Sequence, residues 1–151
     1  MSTTCLTFQA TSSTVSTKNP VFALAVPFNS QKPRTPSPGC PGVRFCQRMS
    51  GSTSYANAVF AIDMVELTGT LNIYTHISET SGRGVHVRFC PTCATAVALT
   101  FERWPEYLAL SRGTFDDPNW VSIDAHIWTE SAQAGVVLPA STDCYRHGRT
   151  G

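Results

Sequence analysis

The run Val85-His86-Val87-Arg88-Phe89-Cys90-Pro91-Thr92-Cys93-Ala94 decides how this 151-residue chain is read. Apolar and polar residues alternate up to Phe89, so Val85, Val87 and Phe89 share one strand face and His86 and Arg88 the other. Beyond the Cys-x-x-Cys the alternation resumes, with Val97, Leu99 and Phe101 together. The pattern predicts a β-hairpin over 85–101 with two thiols at its tip. Such a turn aims two sulfurs at one point, which is half of a tetrahedral zinc site with thiolate–metal distances of about 2.3 Å. Two sulfurs do not complete a structural site, so further donors are expected elsewhere in the chain. A thioredoxin-like dithiol fits less well, because that motif opens a helix after a strand.

Outward from the hairpin, short strands and turns dominate. Tyr55 to Ile62 alternates, with Ala56, Ala58, Phe60 and Ile62 on one face. Val65 and Leu67 open a further strand that Gly69 breaks, and Leu71 to Ile77 forms another. Ser78 to Gly84 is a polar turn, Tyr107 to Ser111 a short strand, and Gly113 to Trp120 a turn-rich loop. Asp124 to Thr129 sets Ala125 and Ile127 against His126 and Trp128 and reads as a final core strand. Cys46 to Ser52 is polar and suggests a short helical turn. The segment from Cys144 to Arg149 is polar and expected to be loosely held. With no long helix and no internal repeat, the expectation is a mostly β, antiparallel single domain over residues 45–145, followed by a tail at 146–151.

The first 44 residues differ in texture. Residues 1–20 are half Ser and Thr, Val21 to Val26 is the one strand expected there, and Gln31 to Gly42 is rich in Pro and Gly. No Asp or Glu occurs before Asp63. The first 62 residues therefore carry +5 and the remainder −4, within a chain of net charge +1. A poorly ordered leader is expected over 1–44; its basic, acid-free composition also suits an organelle transit peptide.

Overall neutrality gives no electrostatic argument for nucleic acid or an anionic membrane, and no apolar run approaches the 18–20 or so residues that span a bilayer. Six cysteines without a hydrophobic secretory segment point to a reducing compartment, cytoplasmic unless the leader directs import, and to metal ligation rather than disulfides.

Four motifs then occur in order: Cys46-Gln47-Arg48-Met49-Ser50-Gly51-Ser52, Arg88-Phe89-Cys90-Pro91-Thr92-Cys93, Gly113-Thr114-Phe115-Asp116-Asp117-Pro118 and Ala125-His126-Ile127-Trp128. In this order and spacing they resemble the glutathione-dependent formaldehyde-activating enzyme family, which includes the centromere protein V-like domains. The resemblance covers about residues 45–145. It implies a β-rich zinc module with two thiolate clusters, one structural and one reactive, the second handling the glutathione sulfur. Cys90 and Cys93 match half of the structural cluster, and Cys46 matches the last cysteine of the reactive motif.

The partners of Cys46 would stand at Pro41 and Val43, with Gly42 at the histidine position. Cys40 is one residue out of phase, though a displaced loop would bring it back at small cost. The expected N-terminal Cys-x-Cys is represented only by Cys5. Departures confined to the region before about residue 45 suggest a replaced N-terminus or a shifted reading frame.

The resemblance thus implies a carbon–sulfur lyase with Zn2+ as cofactor, Cys46 at the reactive centre, and Cys40, Cys46, Cys90 and Cys93 as metal ligands. Its partner is a small-molecule thiol or thiol adduct, such as glutathione's adduct of a small aldehyde. Ser50 and Gly51 are candidate anion-binding backbone positions, and His126 and Trp128 candidate substrate walls. Against each stands a plainer role: a partly buried thiol for Cys46, an exposed linker cysteine for Cys40, structural bystanders or free thiols for Cys5 and Cys144, a hydrogen-bonded histidine and a packed aromatic at 126 and 128, and turn formation for Asp116 and Asp117. The competing class is a non-catalytic zinc-binding or metal-free β module.

Overall fold

The computed structural model describes residues 22–26, 43–65, 67, 69–115, 117, 119, 121 and 123–148. The expectations for residues 1–20 and 31–42, and for Cys5, Cys40 and Asp116, lie outside them.

The strands are β1 (Phe22–Val26), β2 (Tyr55–Ala61), β3 (Asn72–Ile77), β4 (Gly84–Phe89), β5 (Ala96–Phe101) and β6 (Tyr107–Ser111). They form one antiparallel sheet in the order β1-β2-β6-β5-β4-β3. Strands β3 to β6 are a meander of successive hairpins. Strand β2 pairs with the last of them, and Phe22–Val26, assigned to the leader on sequence grounds, closes that edge as β1.

The topology explains one departure from expectation. Residues 65, 67 and 69–71 lie outside any strand, although Val65 and Leu67 alternate as a strand would. The chain must pass from β2 to the far edge, four strand positions away, or about 19 Å at 4.7–4.9 Å per strand. Residues 62–71 reach that far, since extended chain covers about 3.3 Å per residue. Val65 and Leu67 pack beneath the sheet on Ala58, Phe60, Ala98, Leu108 and Leu110, so their apolarity serves as a lid and not as a strand face. Ile62 is likewise not a β2 residue: the strand ends at Ala61, and a 3-10 turn over Ile62–Met64 leaves Ile62 exposed.

The opposite face carries the larger core of Tyr55, Val59, Val85, Val87, Leu99, Phe101 and Ala109. It is covered by helix α1 (Val43–Ser50) and by the C-terminal arm. In α1, Phe45, Cys46 and Met49 face the sheet at helical spacing, leaving Arg44 and Arg48 outside. The helix stops where the Ser50 hydroxyl turns back to the Cys46 carbonyl at 2.8 Å and Gly51 adopts φ +63°, the left-handed conformation that ends many helices.

The expected strand over 124–129 is only two residues long. Strand β7 (Ala125–His126) pairs in parallel with β8 (Asp143–Cys144), and Trp128 then takes a left-handed φ of 57° into a 3-10 turn. His126 and Trp128 therefore do not share a strand face. The stretch after Cys144 is docked, not loose. The amides of Trp128 and Thr129 donate to His147 O and Tyr145 O at 3.1 and 3.0 Å, and Tyr145 and Trp128 pack on the core. No helix among the described residues is long and apolar enough to cross a membrane.

Candidate functional site

The thiol hairpin forms as its sequence predicts. Val87 pairs with Leu99 and Arg88 with Ala98, and at the tip the Cys90 amide donates to Thr95 O at 3.0 Å while the Ala94 amide donates to Cys90 O at 2.9 Å. Closing the turn this tightly puts Ala94 at φ 59°, unusual for a residue with a Cβ. The two thiols are not equivalent. Cys90 is 3% exposed, whereas Cys93 faces solvent with its sulfur 3.1 Å from Thr95 Oγ1.

Three of the four sequence motifs meet beside this tip. A cleft of about 420 Å³ is lined by Met49 and Ser50 from the end of α1, Cys93 and Thr95 from the hairpin, and Gly113 and Thr114 from the turn after β6. Its inner wall is a buried hydroxyl relay. The Tyr55 hydroxyl donates to Ser111 Oγ, which donates to Ala96 O at 2.5 Å.

The remaining predicted residues lie elsewhere. Cys46 is fully buried in the core among Val59, Leu99 and Ile127. Gly51 opens on a different groove, shared with Gln47 and Gln133. Ser50 and Gly51 also stand at the C-terminal end of α1, where carbonyls give partial negative charge, so the helix dipole does not help them hold an anion. His126 is buried, and loss of solvent lowers its imidazole pKa below 6.5. Trp128 packs edge-on against His147 at 5.7 Å.

A second groove was not anticipated from the sequence. About 390 Å³ in volume, it runs between α1 and β3 and is lined by Arg44, Phe45, Arg48, Tyr74, His76 and Glu79. Phe45 and His76 stack there, with centroids 3.9 Å apart and planes 5° from parallel. The signal was the Arg-x-x-x-Arg spacing, which becomes informative once residues 43–50 are known to be helical.

For zinc, the described residues offer the pair Cys90 and Cys93, and Cys46 apart from it in the core. Among the described residues, no three His, Cys, Asp or Glu side chains form a metal-ligand group. A structural zinc takes four ligands, so these residues alone do not fit one.

A thiol-bearing hairpin set in an antiparallel sheet, with a short helix across one face, defines a small β domain. The chain belongs to the glutathione-dependent formaldehyde-activating enzyme family, whose sequence profile matches residues 39–131. That membership ties it to a glutathione- and formaldehyde-related function. No curated protein matches the chain closely enough to count as a relative.

Proposed function

We propose that the chain is a carbon–sulfur lyase-type domain acting on a glutathione-type thiol adduct of a small aldehyde. The observation that carries this is the convergence of three family motifs on the cleft at Cys93, Ser50 and Gly113. An exposed thiol beside an open cleft suits handling of a sulfur compound, because access and thiolate character govern cysteine reactivity. The Tyr55–Ser111–Ala96 relay fixes the inner wall, and Met49 offers apolar surface to the adduct's small carbon fragment.

Zinc is the cofactor this function brings with it, and it requires donors beyond the described residues, with Cys40 and Cys5 the cysteines available. A non-catalytic β module is the second reading. It is favoured by the complete burial of Cys46, the cysteine that matches the reactive position.

Two measurements on the full chain, purified under reducing conditions without chelator, separate these functions. Near two zincs per chain, together with thiol-dependent aldehyde consumption above the spontaneous rate and lost in Cys93→Ser, supports the lyase. One zinc or none, with only the spontaneous rate, leaves the family fold without its chemistry.

A further inference from the structure

The groove between α1 and β3 presents two arginines, Arg44 and Arg48, neither of which is ion-paired to a carboxylate among the described residues. Arg44 and Arg48 are four residues apart on the outer face of α1, which puts their Cβ atoms about 5–6 Å apart. Ion pairs such as His86–Glu102, Arg146–Glu130 and His147–Glu130 lie elsewhere. The opposite wall comes from β3, with Tyr74 and with His76, whose ring is stacked against Phe45 of α1. The groove's one acid is Glu79, from the turn after β3. Its volume of about 390 Å³ falls within the range of small-molecule sites.

We propose that this groove binds the peptide portion of a γ-glutamyl tripeptide thiol, with Arg44 and Arg48 on its two carboxylates and Glu79 on its α-ammonium. The assignment rests on the glutathione-type substrate proposed above and places the recognition of that substrate on this chain's own residues. The charge patterns are complementary. Such a tripeptide carries two carboxylates and one ammonium, and the groove supplies two guanidiniums and one carboxylate. Guanidinium–carboxylate bonds are charge-assisted and directional, and the exposed Tyr74 ring offers a flat face to planar amide groups. A compact phosphate would gain from the arginines but meet Glu79 as a like charge. Met49 lines both this groove and the Cys93 cleft, so a ligand lying along α1 would have its tail in one and its thiol end directed toward the other.

Calorimetric titration of the full chain with ophthalmate, the glutathione analogue with a methyl group in place of the thiol, tests the groove independently of sulfur chemistry. We expect saturable binding, weakened about tenfold by Arg44→Ala or Arg48→Ala and about a hundredfold by both. The thermal unfolding midpoint should be unchanged in these variants, since both side chains are exposed. Glu79→Gln should weaken ophthalmate but not its N-acetylated form, which lacks the ammonium.

Failure of ophthalmate to bind, equal binding by the double arginine variant, or equally tight binding of inorganic phosphate would each overturn the proposal. Ophthalmate binding without thiol-dependent aldehyde consumption would uphold the groove and sink the lyase function. Aldehyde consumption without ophthalmate binding would do the reverse.

Discussion

Replacing Ile127 by alanine should make Cys46 reactive while leaving Cys93 as it is. Ile127 is fully buried and packs in the same core cluster as Cys46. Truncating such a side chain costs about 2–5 kcal/mol, through lost burial plus the cavity left behind. Cys46 is fully buried, so an alkylating reagent reaches it only when the α1–sheet contact opens. When opening and closing are fast relative to alkylation, its rate follows the population of the open state. At 1.4 kcal/mol per decade, the substitution should accelerate Cys46 labelling by about 1.5 to 3.5 decades.

Cys93 is exposed at the hairpin tip and needs no opening, so its rate should change less than about twofold. Pulse alkylation of the native protein with peptide-level mass spectrometry reads each cysteine separately, and unfolded protein supplies the reference rate. Cys90, at 3% exposure, should follow Cys46 and not its neighbour Cys93. The reasoning is refuted if Cys46 in the unmodified chain labels as fast as Cys93, or if Ile127→Ala accelerates both equally.

Three further outcomes follow from the geometry. His126 has a folded pKa lowered by burial, so below pH 6.5 the unfolded chain binds a proton that the native state resists. Stability should therefore be complete above that pH and decline as pH falls toward the folded pKa, and His126→Gln should flatten the slope in denaturant titrations across that window. Ala94→Gly should stabilise the hairpin tip by about 0.5–1 kcal/mol in the same assay, because glycine adopts φ 59° without the Cβ penalty. Gly84→Ala should cost about 1 kcal/mol. Its Cβ would stand 2.7 Å from Glu102 Oε1, forcing away the carboxylate that accepts the Gly84 amide at 2.6 Å, and partial exposure of Glu102 keeps the cost low.

The meander was legible because period-2 alternation is a direct physical signature of strands, and Val85 to Phe101 carries it on both sides of the thiol turn. Val65 and Leu67 carry the same alternation for another purpose. A connection that must cross beneath a sheet also needs apolar side chains on one side, and only the strand order separates the two cases. Residues 125–128 misled for a related reason. Ala125, His126 and Ile127 are all buried, because the C-terminal arm closes over them.

At the candidate site, the motif order placed Cys93, Ser50 and Gly113 in one family, and the fold brings them to one cleft. Partial burial of Cys46 is one of the two sequence readings; its complete burial depends on how α1 lies on the sheet. The Arg44–Arg48 groove was hidden for the same reason, its second wall coming from β3 at the far edge.

The crossing from β2 to β3 also shapes how the chain acquires its structure. The hairpins of β3 to β6 close through short turns, but Asn57 finds its partner Ser111 only after the whole meander has been made. Until then β2 has only β1 to pair with, and an isolated two-stranded hairpin is marginal in water. Its Ala58, Val59 and Phe60, buried on both faces in the finished sheet, remain uncovered through that delay. Such long-range pairing is slow and leaves apolar strand open to other chains. The yield of folded protein is therefore governed by how quickly β6 appears after β2, so stabilising the meander should reduce aggregation even where it leaves the unfolding rate unchanged.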